Sequence, residues 1–90
     1  MTAKFAISLQ KELEKIYQKD KQLSARIEKQ IALFEENPKH PSLRLHKVSS
    51  AMDNTWSISI TMSIRMVYIL LDERTAVFTN IGTHDEVYKK

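Results

Sequence analysis

The sequence predicts an α+β fold: two N-terminal helices packed on one face of a small, mainly antiparallel sheet, followed by a short C-terminal helix. Three observations predict it. Apolar residues recur at helical spacing up to residue 36 and at a spacing of two after Pro41, and the chain closes with a helix-capping motif. Ninety residues are enough for one modest core, so we expect a single domain over residues 1–90.

Two antiparallel helices are predicted between Leu9 and Phe34. Asp20 is the expected N-cap of the second helix, and the pair Asn37-Pro38 is expected to end it, because a residue before proline disfavours helical angles. Apolar residues three or four positions apart give each helix one apolar stripe. These residues are Leu9, Leu13, Ile16 and Tyr17, followed by Leu23, Ile27, Ile31 and Phe34.

Strands are predicted in the second half of the chain, where apolar and polar residues alternate. In the first of them Arg44 and His46 lie two positions apart, so both are expected to project from one face of one strand. Short connections between the last strands predict an antiparallel meander. The other predicted strands are 56–62, 64–71 and 75–80, with an N-terminal strand at about 4–8 joining the sheet.

Composition and charge exclude several classes of protein. The absence of cysteine excludes disulfides and thiolate metal sites, and no histidines are paired at ligand spacing, so no metal or cofactor is predicted. No apolar run is long enough to span a bilayer and the N-terminus does not resemble a signal peptide, so a cytoplasmic protein without membrane contact is expected. Residues 37–50 carry the net charge of +3, with Lys39, Arg44 and Lys47 and no acid. Such a segment favours a polyanionic partner, or is a solvated face of a slightly basic protein.

The C-terminal segment carries the clearest local motif. Thr83 and Glu86 fit a capping box, so His84 is expected to begin a short helix, and Gly82 to break the preceding strand. Tyr88 lies four residues after His84 and therefore shares its helix face. A helix N-terminus presents free N–H groups and favours anions, so this end of the chain is suited to an anionic group such as a phosphate. The alternative is a histidine that only caps the helix, with a glycine that only turns the chain.

Four segments taken in order resemble the RelE/ParE superfamily of bacterial and archaeal toxins, and within it the RelE, YoeB and YafQ mRNA interferases. They read L-x-x-H-K, W-S-I, R-x-V-Y and G-T-H-D-E-V-Y. The resemblance implies a toxin of a type II toxin–antitoxin system that is bound by a cognate antitoxin. It also implies an enzyme that contacts ribosomal RNA and cleaves mRNA in the ribosomal A site without a metal. The toxin–antitoxin complex is expected to bind operator DNA.

The resemblance also implies roles for individual residues. His84 is expected to act as acid or base, supported by Tyr88 through stacking or hydrogen bonding. Arg65 is expected to stabilise phosphate charge, and His46 matches a position that is catalytic in the YafQ branch. His46 with His84 is the first choice of acid–base pair. RNA phosphates are expected to contact Lys39, Arg44 and Lys47.

Some features depart from the pattern of these enzymes. Ser59 and Ser63 stand where the YafQ branch carries a further histidine and aspartate, and the glutamate base of the YoeB branch has no counterpart. Two other readings therefore stay open: a ParE-like toxin that poisons DNA gyrase without cutting RNA, and a decayed member that only binds antitoxin or operator DNA. Arg65 has the alternative of pairing with Asp72 or Asp85.

Three aromatic or imidazole side chains in these segments are assigned no chemistry. Trp56 and Tyr68 fall in apolar strand patterns and are expected to belong to the core. His40, between a lysine and a proline, is expected to be exposed and without a role.

Overall fold

A five-stranded sheet organises the computed structural model, which describes residues 1–48 and 54–88. The strand order is β1-β5-β4-β3-β2, with β1 parallel to β5 and every other neighbouring pair antiparallel. This confirms the α+β fold class and the mainly antiparallel sheet. In chain order the elements are β1 (Thr2–Phe5), α1 (Ile7–Lys19), α2 (Lys21–Glu36), a 3-10 turn (Pro41–Leu43), β2 (His46–Lys47), β3 (Thr55–Ser59), β4 (Ile64–Asp72), β5 (Thr75–Thr83) and α3 (His84–Tyr88).

The two N-terminal helices form where the apolar spacing predicts them. The Leu23 N–H donates to Asp20 Oδ1 at 3.0 Å, which confirms the predicted N-cap of α2, and α2 ends one residue before Asn37. The first strand lies at Thr2–Phe5 rather than 4–8, so that prediction is wrong by two to three residues. The reason is tertiary: Phe5 pairs with Phe78 and stacks on it at 5.7 Å, which fixes the register of β1.

Phe34 lies at the centre of the core between α2 and the sheet. Its ring meets Tyr68 at 4.9 Å and Phe78 at 5.2 Å, both in edge-to-face geometry. Burial raises the pKa of Tyr68 to about 12, so this phenol stays protonated under ordinary conditions. Trp56 is half-buried and packs against the same core. The expectation that Tyr68 and Trp56 belong to the core is confirmed.

One buried polar side chain fastens α2 to β3. Gln30 is only 2% exposed, and its Nε2 donates to the Ser59 carbonyl at 2.8 Å and to the Ser42 carbonyl at 3.4 Å. Both carbonyl groups thereby receive a donor from the helix, so the buried amide of Gln30 is itself hydrogen-bonded. The link sets the position of β3 relative to the helices.

The segment before β2 is not the strand that alternation predicts. Pro41–Leu43 forms a 3-10 turn, and His40 Nδ1 accepts the Ser42 N–H at 3.1 Å at its start. Arg44 follows with φ 46° and ψ 54°, in the left-handed region. Arg44 and His46 therefore do not project from one strand, because local capping and the proline favour a turn over an extended chain. His40 has a structural role that the sequence did not predict.

Two further strand boundaries differ from expectation. β3 ends at Ser59, and Met62 is 96% exposed in the following turn, where Thr61 Oγ1 accepts the N–H groups of Ser63 at 3.2 Å and Ile64 at 3.0 Å. A threonine hydroxyl that satisfies two backbone donors favours the turn. β5 continues to Thr83, with Gly82 paired to Arg65, so Gly82 does not break the strand.

Replacing Gln30 by alanine is expected to lower the free energy of unfolding by about 1–3 kcal/mol, because the Ser59 carbonyl loses its buried donor. Urea unfolding followed by circular dichroism measures the change. The matched control is Gln22→Ala at an exposed position of the same helix, where the change should stay within about 0.5 kcal/mol. Equal effects for the two variants would contradict this role of Gln30.

Candidate functional site

The candidate site lies on the sheet face opposite α1 and α2, called here the α3 face. Ile58 and Met66 point into the core, so the residues that alternate with them point to the α3 face. Register places Ser57 beside His46 on this face, and Arg65 beside Gly82. α3 contacts β4 and β5, and Ser57 is 0% exposed although it faces away from the main core.

A capping box joins α3 directly to the end of β5. The Thr83 N–H donates to Glu86 Oε1 at 2.7 Å, and the Glu86 N–H donates to Thr83 Oγ1 at 3.3 Å. This confirms the predicted motif, with His84 as the first residue of the helix. A Cβ atom at Gly82 would lie 2.7 Å from Glu86 Oε1 and 3.1 Å from Glu86 Cβ. A side chain at position 82 would therefore push the Glu86 carboxylate out of the capping box, whereas glycine leaves room for it.

Arg65 is held by neutral oxygen acceptors on the α3 face. Its Nε donates to Ser57 Oγ at 3.0 Å, and its Nη2 donates to the carbonyls of Arg44 at 2.7 Å and Ser57 at 3.2 Å. These bonds use three of the five guanidinium N–H groups and leave those of Nη1 without a partner among the described residues. The cation is therefore oriented but not neutralised, which suits contact with a phosphate.

The alternative of an Arg65–carboxylate pair is wrong for the part of the chain that the structure describes. Asp72 lies near the other end of β4, where its Oδ1 accepts the Arg74 N–H at 2.8 Å. That backbone hydrogen bond lowers the pKa of the Asp72 carboxyl. Asp85 lies beside His84 instead, with 3.8 Å between Asp85 Oδ1 and His84 Nδ1. Both of these side chains are exposed, so their attraction is weak.

His84 and Tyr88 share one face of α3, as their spacing predicts. Their ring centroids lie 4.4 Å apart, with the ring planes inclined by 41°. The His84 side chain is 72% exposed, whereas Tyr88 is half-buried and its hydroxyl is hydrogen-bonded to Ser57 Oγ. An accessible imidazole is thus supported by a tyrosine that is itself fixed to the sheet. Tyr88 packs the tail onto the sheet and supports His84 at the same time.

The contacts form one continuous path from His84 through Tyr88 and Ser57 to Arg65. Sequence reasoning did not single out Ser57. The alternation in W-S-I-S-I places both Ser57 and Ser59 away from the apolar face. The strand register puts Ser59 directly opposite Arg65, but the side-chain hydrogen bonds join the diagonal neighbour Ser57 to Arg65 and Tyr88. His46 is exposed next to Ser57 on the same face. The catalytic roles of these residues stay predictions.

The three basic residues assigned to RNA do not form one cluster on the α3 face. Arg44 adjoins the site, since its carbonyl binds Arg65. Lys47 pairs across the sheet with Trp56, and its Nζ lies 6.0 Å from that ring centroid, on the side of the core. Lys39 is exposed in the turn after α2. Their RNA-binding roles remain predictions.

Within residues 1–48 and 54–88, no three His, Asp or Glu side chains come together in a way that could hold a metal ion. No helix in this part of the chain is long and apolar enough to cross a membrane.

The family of the chain follows from a sequence-family comparison. The model of the ParE toxin of type II toxin–antitoxin systems, parDE, matches residues 4–88. The chain therefore belongs to this toxin family, within the RelE/ParE superfamily that the motifs predict. No curated protein sequence matches the chain.

Solved structures of related toxins share the fold over nearly the whole chain. The YoeB/ParE toxin from Agrobacterium tumefaciens has a TM-score of 0.77 at 19% identity, covering 93% of this chain and 99% of its own. The E. coli DinJ-YafQ complex gives 0.76 at 13% identity, covering 97% of each chain. The Staphylococcus aureus YoeB-YefM complex gives 0.75 at 16% identity, covering 93% and 97%. At these identities the likeness establishes the fold alone.

Gly82→Ala is expected to open the capping box, because the added Cβ displaces the Glu86 side chain from the Thr83 N–H. Amide hydrogen exchange measured by NMR should show the Thr83 N–H exchanging about tenfold faster, which corresponds to one lost hydrogen bond. Glu86→Ala removes the acceptor and should give the same acceleration. A Thr83 amide that stays protected in Gly82→Ala would contradict the close approach as the reason for glycine.

Proposed function

We propose that this chain is the toxin of a type II toxin–antitoxin system and acts as a ribosome-dependent mRNA endoribonuclease. One observation carries the proposal: an accessible His84 on α3 is connected through Tyr88 and Ser57 to an Arg65 that is oriented but meets no carboxylate within residues 1–48 and 54–88. A proton-transfer group and a cation on one face are what RNA cleavage without a metal requires.

In the proposed reaction the ribose 2′-oxygen attacks the adjacent phosphorus. The new bond joins O2′ to phosphorus and the P–O5′ bond breaks, which gives a 2′,3′-cyclic phosphate and a 5′-hydroxyl. One group accepts the 2′-hydroxyl proton and another supplies a proton to the leaving O5′. His84 and His46 are the proposed pair. Both are exposed, and His46 lies beside the Ser57 to which Tyr88 is bonded.

Arg65 is the proposed stabiliser of the negative charge that develops on the phosphorane. Its Nε and Nη2 face the sheet, so the two N–H groups of Nη1 are those that would meet non-bridging phosphate oxygens. Donors fixed before the substrate arrives need not reorganise during the reaction, which increases their stabilising effect.

We propose dependence on the ribosome because the side chain of His84 is largely exposed to solvent. A side chain that is 72% exposed does not enclose an RNA strand or align a 2′-hydroxyl with a phosphate. Alignment of reacting groups can supply several orders of magnitude in rate, so an external scaffold must provide it. A-site mRNA and ribosomal RNA are the proposed substrate and scaffold.

A cognate antitoxin is the proposed protein partner. The chain belongs to a toxin–antitoxin family, and the solved structures that share its fold include the YoeB-YefM and DinJ-YafQ complexes. Operator DNA is proposed as a partner of the resulting complex only.

Cleavage of a defined mRNA by the purified protein tests the proposed activity, on ribosomes with an empty A site and free in solution. We expect cuts within the A-site codon and a loss of about 100-fold or more in His84→Ala, as for removal of a proton-transfer group. His40→Asn is the matched histidine control, because asparagine keeps an acceptor for the Ser42 N–H. Cuts that persist in His84→Ala would assign the acid–base chemistry to His46. No cleavage by folded protein in either setting would overturn the proposal.

A toxin acting on DNA gyrase is the second candidate function, favoured by the ParE family match over residues 4–88. A supercoiling assay with gyrase distinguishes the two on the same protein preparation. Inhibition that survives in His84→Ala, together with intact mRNA, would favour the gyrase candidate.

Arg44 allows its charge and its backbone to be tested separately. Arg44→Gly and Arg44→Ala remove the same charge, so both should weaken binding to a single-stranded RNA and reduce the salt slope by about 0.7 for one lost phosphate contact. The left-handed backbone accommodates glycine better, so Arg44→Gly should be about 1 kcal/mol more stable than Arg44→Ala. Salt-dependent binding and urea unfolding measure the two effects. An unchanged salt slope in both variants would remove Arg44 from the RNA contact.

A further inference from the structure

We propose that Ser57 is a positioning residue that locks Arg65 and Tyr88 into one hydrogen-bonded unit and thereby sets His84 relative to the guanidinium. The catalytic consequence rests on the proposed function, whereas the coupling between the side chains does not.

Within the described part of the chain, the Ser57 hydroxyl is the group to which both Arg65 and Tyr88 are bonded. This hydroxyl is fully buried, accepts Arg65 Nε–H at 3.0 Å, and is hydrogen-bonded to the Tyr88 hydroxyl. The Ser57 carbonyl also accepts from Arg65 Nη2 at 3.2 Å. Two elements that are far apart in sequence, β4 and α3, therefore meet at one side chain of β3.

The donors and acceptors at Ser57 Oγ balance. Arg65 Nε can only donate, so it occupies one lone pair of the serine oxygen. The serine then either gives its own proton to the Tyr88 oxygen or accepts the Tyr88 proton in its second lone pair. In the first arrangement Ser57 uses both its proton and a lone pair, whereas in the second its own proton has no partner among the described residues, so the first is favoured. Without Oγ, the Arg65 Nε–H and the Tyr88 hydroxyl both lose this partner in a half-buried place, which favours new orientations of both.

α3 depends on this contact because it cannot hold its own position. A helix of five residues is too short to be stable by itself. The capping box fixes where α3 starts, but only at its N-terminal end. The bond between Tyr88 and Ser57 fixes the other end of the helix to the sheet, and the Tyr88 ring in turn supports His84 at 4.4 Å.

A neutral hydroxyl also preserves the charge of Arg65. A carboxylate at position 57 would hold the guanidinium equally well, but it would cancel the positive charge. Serine orients Arg65 without pairing it, so the cation stays available to an anionic partner. This is the physical reason for a serine, rather than an acid, between Arg65 and Tyr88.

The coupling is tested without RNA, by NMR of the Arg65 Nε–H and of the α3 amides. In Ser57→Ala we expect the Arg65 Nε–H and the Tyr88 amide to exchange about tenfold faster, as for one lost hydrogen bond. Ser57→Thr keeps the hydroxyl and should restore protection. Ser59→Ala is the matched control, since this buried serine of the same strand donates to the Thr61 carbonyl and not to Arg65. Unchanged Arg65 protection in Ser57→Ala would overturn the proposal.

A double-mutant comparison separates coupling from general loosening. Tyr88→Phe removes the other hydroxyl of the unit. Its effect on amide exchange in α3 should therefore overlap with that of Ser57→Ala, and the double variant should accelerate exchange by less than the sum of the two single effects. Strictly additive changes in α3 exchange would overturn the coupling.

The catalytic consequence is measured in the ribosome assay. Ser57→Ala should lower kcat by about 10- to 100-fold, with KM within about twofold, since the reacting groups are misplaced while RNA binding is kept. Ser57→Thr should recover most of kcat. An unchanged kcat in Ser57→Ala would overturn the positioning role. If the wild-type protein cleaves no RNA, the proposed function fails, and the exchange measurements alone decide whether Ser57 couples Arg65 to Tyr88.

Discussion

The packing of Phe34 against Tyr68 and Phe78 is the constraint on which the rest of the structure depends. Because these rings pack between α2 and the sheet, the helices cover one face of the sheet. Because side chains alternate along a strand, every second residue of β3 and β4 must then face the other way. Ser57 and Arg65 both lie on that opposite face as diagonal neighbours on adjacent strands, and the Arg65 side chain reaches Ser57 across the pair. The candidate site is thus a consequence of how the helix pair covers the sheet.

The second organising feature is the direct passage from β5 into α3. A strand and a helix that follow without a loop leave little room at the junction, and Gly82 with the Thr83–Glu86 capping box meets that condition. The short helix then folds back over the face that carries Arg65. Tyr88 reaches Ser57, so the end of the helix is fastened to the middle of the sheet. A helix of five residues is too short to be stable by itself, so these contacts hold α3 in place.

Family and activity stand on different evidence in this protein. Membership of the ParE toxin family follows from a match over residues 4–88, and the fold agrees with YoeB and YafQ structures at 13–19% identity. One fold serves toxins with different targets, so activity has to be argued from the site. Among the described residues Arg65 binds neutral oxygens, and an accessible His84 is linked to it through Tyr88 and Ser57, which is the basis of the proposed chemistry on a phosphate.

The sequence by itself determined the helices, their ends at Asp20 and Asn37, and the capping box at Thr83, because these depend on residues a few positions apart. It also predicted that His84 and Tyr88 share a helix face. The turn before β2 was missed because a histidine cap and a proline competed with an alternating pattern that is typical of a strand. Only the tertiary structure selected Ser57 over Ser59, since that choice depends on which residues of β4 and α3 arrive at the same place. Local hydrogen bonding can be predicted from neighbouring residues, whereas contacts between distant strands depend on register, which the whole core decides.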